Sequence, residues 1–193
     1  MLIGGELLTC RKISVGISGD LWRFVYIYTV KSPSVMTLLH GEYECRIDEK
    51  GRIILPAGLK KQLPPEAQEK FIINRGFENC LTMYPINEWN EVSKDVNQLN
   101  LFVKDHRIFA RNFNRGATEL QLDASNRVLI PKTLLEYARI QKDLILSAFS
   151  NRIEVWAKEE YEQHLKMSDD EYADLAEKVM EKLHKPEEPE NVS

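Results

Sequence analysis

The sequence is poor in the residues that build disulfides, metal sites and many catalytic centres. Among 193 residues there are three cysteines and four histidines. Cys10, Cys45 and Cys80 are odd in number and far apart, and none belongs to a C-x-x-C or Cys/His ligand pattern. We therefore expect free thiols in a reducing compartment, with neither a disulfide framework nor a zinc site. No metal ion or other cofactor is expected.

Long apolar runs are missing as well. The most apolar stretch near the start, "LWRFVYIYTV" at 21–30, contains Arg23 and has about half the length needed to span a bilayer. The "KSPSV" that follows it is a poor cleavage site for a signal peptide. We expect a cytoplasmic protein that does not contact membranes.

The sequence also has no excess of positive charge, since the formal net charge is −4. Residues 168–193 hold nine Asp and Glu against three Lys, whereas residues 36–167 hold nineteen charges of each sign. Bulk charge therefore gives no argument for a nucleic-acid partner. Any basic surface must come from local clustering.

The first 35 residues differ in character from the rest, and recognisable patterns begin after Met36. We interpret residues 1–35 as an N-terminal extension, either an upstream start that the native protein does not use or a disordered segment. The intact mass of the natively expressed protein tests the first of these, because a mass beginning at Met1 rules it out.

What the sequence does contain is an internal repeat. The segments "RIDEKGRIILP" at 46–56 and "QLDASNRVLIP" at 121–131 place Asp, Arg and Pro at matching positions, each pair 75 residues apart. A spacing held at three positions indicates duplication. The residue pattern in each copy predicts a strand, a tight turn, a second strand, a short helix, a hairpin and a helix, in that order. The predicted fold class is mostly β with short helices (α+β).

The repeat divides the chain into six predicted segments. Two of them are the copies themselves, and the others are an extension, a linker, a helical region and an acidic tail. In chain order they are the extension 1–35, domain 1 at 42–88, a helical linker at 89–116, domain 2 at 117–160, a C-terminal helical region at 161–185 and a disordered tail at 186–193.

The repeated turn has a mechanical explanation. Asp48 and its counterpart Asp123 can accept backbone N–H groups inside the turn. Gly51 and its counterpart Asn126 stand where positive φ is expected, and these two residue types tolerate it best. Arg52 and Arg127 then begin the second strand, within reach of the aspartates. Whether each Asp–Arg pair only braces the turn or also presents the arginine to a ligand stays open.

Two further segments carry candidate surfaces. Arg107, Arg111 and Arg115 follow one another at helical spacing, so we expect a row of arginines on one helix, either a solvated face or a partner for carboxylates or phosphates. Further on, "SDDE" at 168–171 is a capping box that opens an amphipathic helix. We expect its apolar stripe to pack on this chain's own fold or on a neighbouring subunit; the stripe consists of Tyr172, Leu175, Val179 and Leu183.

Together these residues resemble the MraZ family, which is built from two SpoVT-AbrB-type domains in one chain. The resemblance spans 36–165 and rests on "HGEYECRIDEKGRIILP", "CLTMYPINEW", "RIFARNFNRGATELQLDASNRVLIP" and "NRIEVW". It implies a swapped-hairpin β-barrel in which the two copies form a pseudo-dimer within the chain, followed by a C-terminal helix.

The resemblance also implies a function. Family members repress the division and cell wall gene cluster, usually including their own gene, as ring-shaped homo-oligomers. They bind short direct repeats in double-stranded DNA upstream of that cluster and are associated with the nucleoid. The residues predicted to contact DNA are Lys50, Arg52, Arg127, Arg46 and Arg111.

The sequence departs from the family pattern at three positions, one in copy one and two in copy two. Ser125 stands where copy one has Lys50, Asn126 replaces the usual Gly, and His40 replaces a frequent Arg. These departures put phosphate contacts from positions 40 and 125 in doubt. The substitution at 126 still allows positive φ.

Two other function classes compete with this one. An antitoxin-like protein of the same fold would act through a protein partner held by the C-terminal helix. An enzyme would use Asp48, Asp123 and His106 as an acid–base set, or Cys45 as a nucleophile. Because no H-E-x-x-H, G-x-S-x-G or phosphate loop occurs in the sequence, we expect no catalysis and no small-molecule substrate.

Overall fold

The computed structural model describes the backbone of residues 2–3, 6–15, 23–30 and 38–184, and the side chains of residues 38–181. The chain divides into two units, Met1–Thr37 and Leu38–Ser193. The first contains an antiparallel sheet of β1 (Leu2–Ile3), β2 (Glu6–Val15) and β3 (Arg23–Val30). The interpretation of residues 1–35 as an upstream start that the native protein does not use stays a prediction. The predicted tail 186–193 lies outside the described residues.

The second unit contains the two copies. In copy one the elements follow in the predicted order: β4 (Leu39–Arg46), β5 (Arg52–Ile54), α1 (Ala57–Lys60), β6 (Lys70–Arg75), β7 (Leu81–Pro85) and α2 (Ile86–Asn97). A 3-10 turn at Pro65–Ala67 precedes β6.

Copy two repeats the order after α3 (Lys104–Phe113). Its elements are β8 (Thr118–Gln121), β9 (Arg127–Leu129), α4 (Lys132–Tyr137), β10 (Asp143–Ser150), β11 (Arg152–Ala157) and α5 (Lys158–His164), followed by α6 (Asp169–His184). The mixed α+β class is thereby confirmed.

The copies exchange strands. The first strand of each copy pairs with the third strand of the other, so that β4 lies on β10 and β8 lies on β6. The resulting sheet order, β4-β10-β11-β7-β6-β8, is symmetric about the β11–β7 pair. The second strands of the copies, β5 and β9, pair with each other in a separate two-stranded ribbon. This pairing is the pseudo-dimer that the resemblance implied.

The β-barrel that the resemblance implied is not closed within the described residues. Within the described residues the six-stranded sheet is open, and its backbone pairing with the ribbon is limited to an isolated bridge between Ile47, just after β4, and Ile53. The strands β5 and β9 contain only three residues each, because an Asp-led turn precedes them and a proline follows soon after, at Pro56 and Pro131. Such short strands leave little backbone for further pairing.

One core serves both copies. Its fully buried side chains come in matching pairs such as Ile53 with Val128 and Leu81 with Ile153. Burying one side chain of this size contributes about 1.5–3 kcal/mol. Because the copies share the core, neither has a separate interior of its own.

The linker and C-terminal helices differ in packing. Trp89 of α2 stacks on Phe113 of α3 at 5.2 Å between ring centroids and lies 5.8 Å from the ring of Tyr84 on β7, so it connects both linker helices to the sheet. On α6 the described side chains are all exposed, including Tyr172, Leu175 and Val179. The chain's own fold therefore does not cover the described side chains of α6, and the expected packing on a neighbouring subunit stays a prediction. The side chain of Leu183 lies outside the described residues.

Candidate functional site

The turn between β4 and β5 is built around one carboxylate. Asp48 Oδ1 accepts the backbone N–H groups of Lys50 and Arg52, both at 2.9 Å. The Asp48 carbonyl accepts the N–H of Gly51, and the Asp48 N–H donates to the Arg52 carbonyl, again at 2.9 Å. Gly51 has φ of +84°, a conformation that glycine adopts without a Cβ penalty.

The turn between β8 and β9 repeats this scheme with different residues. Asp123 Oδ1 accepts the N–H groups of Ser125 at 2.8 Å and Arg127 at 3.0 Å. Asn126 takes the place of Gly51, with φ of +57°. The two turns thus share aspartate at the first position and a positive-φ residue at the fourth, although the two residues between them differ.

The turns also tie the copies together. The carbonyl of Gly51 accepts the N–H of Ile130, and the carbonyl of Asn126 accepts the N–H of Leu55, both at 2.9 Å. Each positive-φ residue therefore closes the ribbon by holding the strand of the other copy.

Both turns are also stabilised by an arginine that pairs with the aspartate. Arg52 donates through Nε and Nη2 to Asp48 Oδ2, each at 2.7 Å, and Arg127 donates through Nε to Asp123 Oδ2 at 2.8 Å. Their side chains remain 29% and 32% exposed. The carboxylate fixes one edge of each guanidinium, and Arg has five N–H donors, so Nη1 stays available for another acceptor. Each Asp–Arg pair therefore does brace its turn, which is one of the two roles that the sequence left open.

Both carboxylates are held in the ionised form. The backbone N–H of Arg52, and then its guanidinium, lower the pKa of Asp48 to about 2. The backbone N–H of Arg127 is the main cause that lowers the pKa of Asp123. Hydrogen bonds to the charged form of a carboxyl group always act in this direction. A carboxylate so firmly ionised is unsuited to general acid catalysis at neutral pH.

The ribbon gives these turns a common face. Arg52 lies opposite Leu129 and Ile54 lies opposite Arg127, while Ile53 and Val128 between them are fully buried. Because side chains alternate along a strand, the two arginines share the outer face with Ile54 and Leu129. These two apolar side chains are 62% and 56% exposed.

Ile54 and Leu129 were missed by reasoning from the sequence. Both stand in apolar runs, "RIILP" and "RVLIP", that are typical of buried strands. Strict alternation starting from the arginines would have placed them outward, but only with knowledge that one ribbon face is open.

The other predicted DNA-contacting residues are scattered. Lys50 is exposed at the tip of the first turn. Arg46 is 75% exposed and pairs with Asp143 at 2.7 Å between Nε and Oδ1. Arg111 is exposed on α3.

The expected row of three arginines on α3 is wrong. The helix ends at Phe113, so Arg115 lies beyond it. Arg107 is half-buried, and its Nη1 donates to the carbonyls of Leu101 and Phe102 at 2.8 and 2.9 Å. Only Arg111 of the three keeps the exposed helical position that the spacing predicted.

Cys45, the candidate nucleophile, and Cys80 are both in surroundings that suppress thiol reactivity. Burial raises the pKa of the Cys45 thiol, and burial next to Glu154 and Glu78 raises the pKa of Cys80 to about 12. Both thiols are therefore protonated at neutral pH, and a thiol is a weak nucleophile. Within the described part of the chain, no group of three or more His, Cys, Asp or Glu side chains is placed to hold a metal ion. The helices described there include none that is long and apolar enough to cross a membrane.

The fold and site define a class: duplicated chains in which two copies exchange strands and present two Asp-braced arginines on a shared ribbon. A family model described as "MraZ protein, putative antitoxin-like" matches twice, at residues 38–112 and 113–182. The chain belongs to the MraZ family. The resemblance found in the repeated motif is thereby confirmed, and each match contains one of the two copies.

Several relatives are similar over most of their length, and each is named transcriptional regulator MraZ. The one from Christiangramia forsetii is 47% identical over 146 residues, which are 75% of this chain and 94% of the relative. The one from Flavobacterium psychrophilum is 44% identical over 75% of this chain and 93% of the relative. A third, from Caldanaerobacter subterraneus, is 41% identical over 72% of this chain and 95% of the relative.

Proposed function

We propose that this chain is a transcriptional regulator that binds double-stranded DNA through the outer face of the β5–β9 ribbon. The observation that carries the proposal is the pair of arginines, Arg52 and Arg127, brought onto one narrow face by strand exchange. The names of the relatives support regulation of transcription as the role.

The ribbon has suitable dimensions and chemistry for base contacts. The major groove of B-DNA admits a two-stranded β-ribbon, and arginine pairs with O6 and N7 of guanine through two donors. Asp48 occupies Nε and one N–H of Nη2 of Arg52, which leaves the Nη1–Nη2 end of the guanidinium for guanine. The brace also restricts the side chain, so less rotamer freedom is lost on binding.

The lysine at the turn tip has a different role. Lys50 is a compact, exposed cation, which suits a phosphate better than a base edge. Copy two has Ser125 at this place, so the phosphate contact is expected at one end of the ribbon only. Arg46 and Arg111 are proposed as further phosphate contacts.

Assembly into an oligomer would compensate for the low affinity of a single chain for DNA. Residues 36–167 carry no net charge, and each arginine on the ribbon is already paired with a carboxylate. We propose a ring-shaped homo-oligomer that repeats the site at regular spacing, which suits short direct repeats. Linked sites make later contacts intramolecular and raise avidity by orders of magnitude. The proposed target is the promoter of its own division and cell wall operon, which the protein represses at the nucleoid.

The test is a titration of Arg52→Ala and Lys50→Ala proteins against the DNA upstream of their own gene. Arg52→Ala should lose discrimination between that DNA and a scrambled duplex, by about 1–3 kcal/mol for one lost base contact. Lys50→Ala should weaken binding to both duplexes alike and reduce the slope of affinity against salt by about one unit. Lys94→Ala, on the surface of α2, serves as the matched control and should bind like the original protein.

Because Arg52 also braces its turn, circular dichroism must show that Arg52→Ala is folded. If a protein carrying both Arg52→Ala and Lys50→Ala binds the DNA as the original protein does, the ribbon is not the DNA-binding surface. Sedimentation of the protein with and without the same DNA measures the assembly, and a monomer in both conditions would contradict the ring.

A second candidate function rests on α6. Its exposed stripe of Tyr172, Leu175 and Val179 offers an apolar face, and the family description includes the term antitoxin-like. An antitoxin-like protein would bind a small protein partner through this helix. Affinity purification with and without residues 168–193 tests it: one stoichiometric partner that requires α6 would favour this function.

A further inference from the structure

Two apolar side chains on the ribbon are exposed and do not pack in the core. Ile54 and Leu129 are 62% and 56% exposed, although the strand residues beside them, Ile53 and Val128, are fully buried. Scattered exposed apolar residues are ordinary. These two, however, stand at equivalent positions of the two copies, each two residues after the arginine.

Their register relates them to the arginines across the ribbon. Ile54 lies directly opposite Arg127, and Leu129 lies directly opposite Arg52. Opposite side chains on one face are about 4.5–5.5 Å apart between Cβ atoms, and diagonal ones are about 7–8 Å apart. Every arginine on this face therefore has an apolar side chain as its nearest cross-strand neighbour.

We infer that Ile54 and Leu129 are specificity-determining residues that contact the 5-methyl groups of thymines in the major groove. The inference rests on the proposed function. The methyl group is the one apolar feature that a base pair presents in that groove, and aliphatic side chains bind it by simple contact. The diagonal of about 7–8 Å corresponds to roughly two base-pair steps of 3.4 Å. The preferred site thus has two thymines about two base pairs apart, next to the guanines that the arginines read.

Charge on this face favours DNA over an apolar protein surface as its occupant. A flat apolar partner would cover Arg52 and Arg127 and bury their remaining N–H groups without acceptors, which is costly. A DNA groove supplies guanine acceptors for the arginines and methyl groups for the apolar side chains at the same depth. The mixed face matches that combination.

The test replaces thymine by uracil in the upstream DNA, which removes only the methyl group. The affinity of the full-length protein, measured by fluorescence anisotropy, should fall about fourfold for each contacted thymine, the factor expected for burying one methyl-sized group. Ile54→Ala and Leu129→Ala should each bind thymine DNA more weakly and become insensitive to uracil at one position. The control is Leu101→Ala, an equally exposed leucine (56%) before α3, which should keep the full sensitivity to uracil.

The outcomes separate the inference from the proposed function. If the unaltered protein binds its upstream DNA with equal affinity whether thymine or uracil is present, the methyl contacts are refuted and DNA binding stands. Variants that keep the sensitivity to uracil also overturn the assignment to Ile54 and Leu129. If the protein does not distinguish its upstream DNA from a scrambled duplex, the proposed function fails, and the inference fails with it.

Discussion

At the scale of single residues, the aspartates of the two turns determine what the arginines can do. Each accepts two backbone N–H groups through one oxygen and the guanidinium through the other. The same carboxylate therefore shapes the turn and aims the arginine. The hydrogen bonds to the aspartates already restrict the side chains of Arg52 and Arg127. A ligand contact would therefore cost these arginines less conformational entropy than it would cost an unrestrained arginine.

The lowered pKa values of Asp48 and Asp123 predict a specific acid sensitivity. In the unfolded chain these groups titrate near pH 3.9, whereas in the folded protein the pKa of Asp48 is about 2. A folded-state pKa below the unfolded one stabilises the protein above about pH 4, and this contribution is lost as the pH falls through the folded pKa. Urea unfolding at a series of pH values should show stability falling from about pH 4 to about pH 2.

Other carboxylates also titrate in this range, so the comparison is with Asp48→Asn/Asp123→Asn. This variant should be less stable at neutral pH and should lose less stability between pH 4 and 2 than the original protein does. An identical fall in both proteins would show that the two turns do not carry the effect.

At the scale of elements, α6 is a helix whose described side chains are not buried in the core. Ser168 Oγ accepts the N–H of Glu171 at 3.3 Å, and Glu171 Oε2 accepts the N–H of Ser168 at 2.8 Å, which is the capping box that the sequence predicted. The described side chains of the helix are exposed, so this cap and local propensity contribute to its stability in place of burial in the core.

Ser168→Ala removes the hydroxyl that caps α6 and should destabilise this helix by about 1 kcal/mol. Because the described side chains of α6 do not pack on the core, amide hydrogen exchange should quicken within 169–181 and stay unchanged in the sheet. Ser93→Ala, a mid-helix serine of α2, is the matched control and should quicken exchange in neither region. A loss of global stability in Ser168→Ala would mean that α6 is docked on something.

At the scale of the whole molecule, strand exchange makes the two copies one folding unit. The first strands β4 and β8 have their ladders on the other copy, and the ribbon needs one strand from each. The core likewise draws on both copies. A chain of this kind cannot be divided at its linker into two independent domains.

Separated halves, 38–100 and 101–184, should therefore not fold as monomers. Each should be unfolded or should pair with a second copy of itself, which analytical ultracentrifugation and circular dichroism distinguish. An equimolar mixture should regain the fold of the intact chain. A half that is folded and monomeric would contradict strand exchange as the basis of the fold.

The sequence by itself determined the duplication, the α+β class and the two turns. It did so because an aspartate that accepts nearby N–H groups and a residue that tolerates positive φ act within five residues, as in 48–52 and 123–127. The capping box at Ser168 is equally local.

Only the tertiary structure decided which surfaces are open. It decided that Ile54 and Leu129 are exposed, that Arg107 donates to the carbonyls between α2 and α3, and that the described side chains of α6 are exposed. Which elements pack together is set by contacts between residues far apart in the chain, such as β4 with β10, whose sequence patterns fit several partners. Local sequence patterns determine backbone conformation, whereas the exposure of a side chain depends on the tertiary contacts of the folded chain.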